Sequence, residues 1–231
     1  MTTASPSSAS DPMLLLGIDT CGPSGSVALG RLARADIVLL GETTLEGRTY
    51  SATLVAAIGD LLKAHHLVLQ QIGCIVVVNG PGSFTGVRVG LSAAKGLAEG
   101  AGLRIVAVSR LEVLAQKSGL PNAALDAHRH ELFLRVDGRE LLAGSAEMAA
   151  ILPAPAPIAA GDDAAVHLLS QAWPAAQILR VPAPTAADAL RVALPRIRAR
   201  EFADTALLDG HYLRRSDAEI FGEKQPSPAR E

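Results

Sequence analysis

The chain has 231 residues, of which 49% are hydrophobic and only 3% aromatic, so any core is built mainly from Ala, Val, Leu and Ile. Lys and Arg number 21 against 23 Asp and Glu, and this balance excludes the basic surface of a protein that binds nucleic acid tightly by itself. Cys21 and Cys74 form neither a metal-binding spacing nor a disulfide framework, and no apolar run approaches the length of a membrane span. These features predict a cytoplasmic protein without a membrane segment.

The first half of the sequence predicts an α/β layer structure. Apolar runs between turn signals predict strands at 13–19, 26–30, 37–41, 73–78 and 103–108. Helical periodicity predicts helices at 53–66, 84–100 and 111–117. The helix at 84–100 is rich in Gly and Ala, and each Gly inside a helix costs about 1 kcal/mol relative to Ala. We therefore expect another element to pack closely against its backbone.

The second half predicts a similar alternation with shorter elements. Strands are expected at 123–126, 132–136 and 158–160, with a hairpin turn at Asp137-Gly138. Helices are expected at 148–152, 164–172 and 186–200, the last of them disturbed by Pro195.

The string NGPGSFTGVRVG follows the apolar strand at 73–78 and allows two interpretations. As a phosphate cradle, it would use Gly82 and Ser83, but its glycine spacing fits neither the dinucleotide nor the P-loop pattern. As a structural elbow, Pro81-Gly82 makes a tight turn, and Ser83 or Thr85 caps the following helix. The elbow is the favoured interpretation, and the cradle remains the alternative.

The strings LGIDTCGPSGSVAL, VVVNGPGSFTGVRVGLSAAKGLAEG, VSRLEVLA and HYLRR together resemble the TsaB family, also called YeaZ. The resemblance extends over about 14–215 and is strongest in the first half. It implies an actin-like (ASKHA, ribonuclease H-like) α/β fold with two lobes. We expect these lobes at 13–119 and 120–221, between disordered ends at 1–12 and 222–231.

The resemblance also implies a function. Members of this family work in making threonylcarbamoyladenosine on tRNA, at the adenosine next to the anticodon. The implied role is that of a non-catalytic dimerisation subunit, which docks and activates the catalytic relative TsaD. The ATPase TsaE is a further implied partner, a homodimer is expected in isolation, and tRNA is contacted only through the complex. No cofactor is expected for the chain alone, whereas ATP or ADP with Mg is a candidate at the interface in the complex.

Two residues separate this chain from its catalytic relative. In TsaD, a segment similar to VSRLEVLA carries His-x-x-x-His and binds a metal, and the alignment places Arg110 and Leu114 at those two positions. Neither side chain is a metal ligand, so we expect no catalytic residue and no metal site. The alternatives are a metal-dependent, glycoprotease-like peptidase, which needs such ligands, and an actin-fold small-molecule kinase, which needs a complete adenosine pocket.

Other polar residues are weaker candidates. Asp19 and Thr20 end the first strand, where an acidic residue of actin-like folds helps position a metal–nucleotide, although Asp19 is equally expected as a turn cap. Together with Gly82 and Ser83 they form the candidate nucleotide contact. His128 and His130 are interpreted as an exposed polar strand with both rings on one face. Where the family usually carries Asp-Ala-Arg, this chain has Asp126-Ala127-His128 followed by Arg129, so the role of these residues stays open.

The candidate docking surface combines two helices. Val55 and Ala56 lie off the apolar face of the helix at 53–66, beside Gly59. In the helix at 84–100, Gly86, Gly90 and Ala94 form a strip of small residues at helical spacing. Two such helices are expected to meet an equivalent pair from another chain as a four-helix bundle.

Overall fold

A computed structural model describes residues 12–214 of the protein. The predicted disordered ends at 1–12 and 222–231 lie outside the described residues, apart from residue 12. The described part contains two five-stranded sheets with helices packed against them.

The first sheet has the strand order β3-β2-β1-β4-β5. Its strands are β1 (Leu14–Asp19), β2 (Ser24–Leu32), β3 (Ile37–Glu46), β4 (Ile72–Val78) and β5 (Arg104–Val108). The pairs β1–β2 and β2–β3 are antiparallel, whereas β1–β4 and β4–β5 are parallel. Strands β1 and β4 are almost wholly buried because they lie at the centre of a sheet covered on both faces.

The helices of the first sheet lie on opposite faces. Helices α1 (Tyr50–Ala64) and α2 (Phe84–Ala101) cover one face, and α6 (Ala186–Ala199) covers the other. The alternation of side chains along β1 separates the faces, since a Cβ on Gly90 of α2 would lie 3.8 Å from Ile18, whereas a Cβ on Gly17 would lie 2.8 Å from the carbonyl oxygen of Ala186 in α6. The absence of a side chain at Gly17 therefore lets the backbone of α6 approach the sheet.

The second sheet has the order β10-β9-β6-β7-β8. Its strands are β6 (Asn122–Asp126), β7 (Leu132–Val136), β8 (Arg139–Ala143), β9 (Ile158–Ala160) and β10 (Ile178–Arg180). Helices α3 (Arg110–Ser118), α4 (Ser145–Ala150) and α5 (Asp163–Ala172) pack around it. A meander of three antiparallel strands is again followed by two parallel strands, so both sheets share one topology. This repeated arrangement is the actin-like, ribonuclease H-like α/β fold that the sequence resemblance predicts.

Helix α6 returns the chain to the first sheet, although it follows the second sheet in sequence. The side chain of Thr185 accepts a hydrogen bond from Asp188 N and caps the helix, whose Ala, Leu and Val residues are buried on the sheet. The division into lobes at 13–119 and 120–221 stays a prediction, and α6 comes from the second of these ranges.

Most predicted strands and helices are present, and the differences occur at sheet edges. Strands β8 and β10 were not predicted, because β8 carries charged residues at an edge and β10 has only three residues, two of them exposed. Strand β3 continues to Glu46 rather than ending at 41, since an edge strand can carry polar residues on an exposed face.

Candidate functional site: a cleft between the two sheets

A cavity of about 580 Å³ lies where the ends of the two sheets face each other. One wall comes from the β1–β2 turn, the glycine loop and the first residue of α3, Arg110. The opposite wall comes from the ends of β6 and β9, and residues 211–214 complete it. The volume lies within the roughly 300–1,000 Å³ that is typical of small-molecule pockets.

The glycine loop is held against the β1–β2 turn by its backbone. Ser83 N donates to Cys21 O at 2.8 Å, and a Cβ on Gly82 would lie only 2.2 Å from the same oxygen. The Thr20 hydroxyl donates to Gly86 O at 2.7 Å. Ser83 caps α2 by accepting from Gly86 N. These contacts agree with the elbow interpretation, in which the glycines allow close backbone approach.

The four candidate nucleotide contacts fall into two pairs. Gly82 and Ser83 line the cavity. Asp19 and Thr20 are buried at 1% and 0% exposure and are not among its lining residues. The structure therefore brings only the glycine-loop pair to the cleft.

Asp19 and Arg110 form a buried pair behind the cavity wall. Asp19 Oδ1 accepts from Cys21 N at 2.8 Å, and its Oδ2 lies 3.8 Å from Arg110 Nε. Burial raises the pKa of Asp19 above its ordinary value, and the positive charge of Arg110 offsets part of that rise. Sequence analysis noted Arg110 only as a lost metal ligand and missed this pairing, since 91 positions separate the two residues.

The thiol and phenol near this pair are not poised for reaction. Burial raises the pKa of Cys21 well above its ordinary value, and its Sγ lies 3.2 Å from Val78 O, to which it donates. Tyr50 donates its hydroxyl to Gly22 O at 2.8 Å, and burial raises the pKa of Tyr50 to about 12. Both groups stay protonated at neutral pH, so neither serves as a nucleophile or base there.

The opposite wall contains an unusual turn. His128, Arg129 and His130 have φ values of 60°, 58° and 61°, so three consecutive residues adopt the left-handed conformation. The interpretation of His128 and His130 as strand residues is therefore wrong. Asp126 stabilises the turn, since its carboxylate accepts from His128 N at 2.8 Å and lies 2.9 Å from His128 Nδ1. Such Asx contacts compete with strand hydrogen bonds, and Asp126 was the signal for this in the sequence.

Residues 209–214 form a strap between the two walls. His211 N donates to Asn79 O at 2.7 Å, and the ring of Tyr212 stacks on Phe84 with centroids 4.6 Å apart. The Arg214 guanidinium donates to Glu131. The HYLRR string therefore helps to close the cleft, a role that sequence analysis did not assign.

The two residues at the metal-ligand positions of the catalytic relative point into different surroundings. Leu114 is fully buried in an apolar cluster, whereas Arg110 lies beside Asp19 at the cavity. Over residues 12–214, no group of three or more His, Cys, Asp or Glu side chains is placed to hold a metal ion. Within the same range, no helix has the length and apolar character needed to cross a bilayer.

The predicted docking residues are only partly on the surface. Val55 is 61% exposed, Ala56 and Gly59 are exposed, and a Cβ on Gly59 would meet nothing within 4 Å. Gly86, Gly90 and Ala94, in contrast, are buried on the side of α2 that faces β1.

The prediction that Gly86, Gly90 and Ala94 form a free surface is therefore wrong. A Cβ on Gly86 would lie 2.0 Å from Thr20 O, and one on Gly90 would lie 2.3 Å from the Thr20 hydroxyl oxygen. The exposed small residues of α2 lie on its opposite side, at Ser92, Gly96 and Gly100. A helix with small residues on two sides gives no signal in sequence as to which side packs inward.

The shared topology of the sheets and the cleft between them define an actin-like α/β protein of the ribonuclease H-like class. The structure of YeaZ from Pseudomonas aeruginosa is similar to this chain, with a TM-score of 0.70 and 24% sequence identity. The similarity covers 87% of this chain and 100% of that chain.

Sequence similarity narrows the class to a family. The family model of TsaD, tRNA N6-adenosine threonylcarbamoyltransferase, matches residues 44–154. The tRNA threonylcarbamoyladenosine biosynthesis protein TsaB of Haemophilus influenzae is 36% identical over 134 residues, which cover 55% of each chain. TsaB of Bacillus subtilis is 36% identical over 125 residues, which cover 52% of this chain and 53% of that protein. The chain thus spans about half the length of the curated relatives it matches, and it belongs to the TsaB (YeaZ) family.

Proposed function

We propose that the protein takes part in making threonylcarbamoyladenosine on tRNA, as a non-catalytic subunit that docks and activates TsaD. The relatives named TsaB support the pathway, and the match of residues 44–154 to TsaD supports a partner of similar fold. The absence of metal ligands at Arg110 and Leu114 supports a non-catalytic role.

The observation that carries the proposal is the exposed face shared by α1 and α2. These two helices pack side by side, and the face offers Val55, Ala56 and Gly59 from α1. Helix α2 adds Gly96 and Gly100, where a Cβ would meet nothing within 4 Å. Small residues let helix axes approach to the short end of the usual range of about 8–10 Å. The face is apolar or small, as a helix–helix interface requires.

TsaD is the proposed occupant of this face because of what the matched segment contains. Residues 44–154 include both α1 and α2, so a TsaD chain is expected to carry an equivalent pair of helices. Two such pairs can meet face to face as a four-helix bundle. In isolation, the same face would pair two copies of this chain as a homodimer. The ATPase TsaE, ATP or ADP with Mg at the interface, and tRNA bound through the complex belong to the same proposal.

Size-exclusion chromatography with purified TsaD tests the docking surface. Val55→Arg is expected to abolish co-elution, because it places a charge in an apolar interface while leaving a side chain that is exposed in the free chain. The matched control is Leu179→Arg, which changes a 46% exposed residue of β10 on the other sheet and is expected to leave co-elution intact. Unchanged affinity of a folded Val55→Arg variant would place the interface elsewhere.

A further inference from the structure

Arg110 presents an unsatisfied guanidinium at the wall of the cleft. Its side chain is only 7% exposed, yet it lines the cavity. Its one side-chain interaction with a described residue is the 3.8 Å contact between its Nε and Asp19 Oδ2, which is too long for a hydrogen bond, and both of these atoms lack a partner within residues 12–214. A guanidinium has five N–H groups, and leaving buried donors unsatisfied costs free energy. The side chain therefore has donors available for a ligand.

The backbone around Arg110 holds these donors in place. Arg110 N donates to Gly80 O at 2.6 Å, and Ser109 caps α3 immediately before it. A Cβ on Gly22 would lie 2.2 Å from Arg110 Nη2, so this terminal nitrogen lies directly against a turn that itself lines the cavity. Any larger residue in place of Gly22 would occupy the position of the guanidinium.

The N-terminus of α2 borders the same cavity. Gly82, Ser83 and Phe84 all line it, and α2 is 18 residues long. Because Ser83 accepts from Gly86 N, the backbone N–H groups of Phe84 and Thr85 remain without an intrahelical acceptor. These groups carry the positive end of the helix dipole, which favours a bound anion.

The carboxylates of the cavity are already engaged by other donors. Asp126 is occupied by His128 through two contacts. Asp162 accepts from Asp126 N at 2.9 Å and from Ala165 N at 2.7 Å, where it caps α5. Arg110 and the first turn of α2 thus supply uncommitted donors on one wall, while the acids on the other wall are satisfied.

We propose that the cleft binds a phosphate ester of about mononucleotide size, with its phosphate between Arg110 and the first turn of α2. Arginine forks and helix N-termini are the two protein groups best suited to phosphate. The cavity of about 580 Å³ accommodates a ligand of this size. Phe84 and Tyr212, stacked at its edge, offer apolar surface to the organic part of the ester. The site is independent of the proposed docking to TsaD, because it lies in the cleft rather than on the exposed face of α1 and α2.

Isothermal titration of the full chain alone tests this site with four probes, namely inorganic phosphate, ribose 5-phosphate, AMP and adenosine. The phosphorylated probes are expected to bind and adenosine is not, and the comparison of ribose 5-phosphate with AMP shows whether the base contributes. Arg110→Gln is expected to weaken binding about tenfold or more, because a hydrogen bond to a charged group is lost. Arg196→Gln is the matched control, since Arg196 bonds Glu112 outside the cavity.

Arg110→Gln leaves Asp19 as an unpaired buried carboxylate, so the single variant can lose stability. The double variant Asp19→Asn/Arg110→Gln removes both charges together and keeps a neutral polar pair, and it is expected to fold and to show the same loss of binding. Retained phosphate affinity in the folded double variant would overturn the proposal, as would equal binding of adenosine and AMP or no binding of any phosphorylated probe at millimolar concentration. Co-elution with TsaD is measured separately, so failure of this site and failure of the docking proposal are distinguishable.

Discussion

The carboxylate of Glu140 lies 2.9 Å from Nε2 of His211, and this contact ties strand β8 of the second sheet to the strap that closes the cleft. The same carboxylate accepts from Ser109 Oγ at 2.6 Å and from Arg135 Nη1 at 2.9 Å. Glu140 is therefore a junction between the β5–α3 connection, the second sheet and the C-terminal strap. Its side chain is only 8% exposed, so these bonds form largely away from water.

Stability in acid is expected to depend on Glu140. Burial by itself would raise the pKa of Glu140, but hydrogen bonds from His211 and Ser109 lower it below its ordinary value of 4.5. A depressed pKa in the folded state contributes stability that is present above pH 4.5 and is lost as the pH falls through the folded value. Glu140→Gln is expected to cost about 2 kcal/mol at pH 7, the scale of a buried hydrogen bond to a charged group.

The measurement is urea unfolding of both proteins between pH 7 and pH 3. Asp19 contributes in the opposite direction, since its raised pKa favours the folded state below its ordinary pKa. The difference between wild type and Glu140→Gln removes this contribution, and that difference should shrink on acidification. A difference that stays constant with pH would contradict the assigned ion pairing.

Two glycines of α2 are expected to respond in opposite ways to the same substitution. Gly90→Leu should destabilise the fold by about 3 kcal/mol, the upper range for overpacking, because a Cβ there would lie 2.3 Å from the buried Thr20 hydroxyl. Gly96→Leu should be neutral or stabilise by up to about 1 kcal/mol, because the site is open and Leu is a better helix former. Urea denaturation of both variants, compared at equal m-value, measures the contrast; similar losses in both would show that the orientation of α2 is wrong.

Both cysteines are expected to resist labelling in the native protein. Cys21 is 1% exposed and Cys74 is fully buried, and burial raises the pKa of Cys74 to about 12. A thiol that is both inaccessible and protonated reacts slowly with disulfide reagents. Titration with Ellman's reagent at pH 8 should show almost no reaction before unfolding and two thiols after addition of guanidinium chloride. Rapid native labelling of one thiol would show that its surroundings open readily.

The isolated chain is expected to lack metal-dependent peptidase activity. Arg110 and Leu114 stand where the catalytic relative binds its metal, and neither is a ligand. Elemental analysis of protein purified without chelators should find zinc and iron well below one equivalent, and a casein assay should show no chelator-sensitive hydrolysis. Stoichiometric metal together with such activity would favour the peptidase alternative.

The sequence by itself determined the fold class and most elements of this protein. The apolar runs of β1 and β4 need no tertiary information, because strands buried on both faces are recognisable from composition alone. The glycine loop was likewise recognisable as an elbow, since a turn followed by a capping Ser is a local signal. The strings that resemble the TsaB family added the expected topology, which the two sheets display.

Only the tertiary structure decided which surfaces and partners these elements have. The small residues of α2 occur on two sides of the helix, and contact with Thr20 determines that the side with Gly90 is buried. The pairing of Arg110 with Asp19 joins residues far apart in the chain, and no local pattern encodes it. Local propensity reports on neighbours within a few residues, whereas burial, charge pairing and the free face of a helix depend on elements that meet only after the chain has folded.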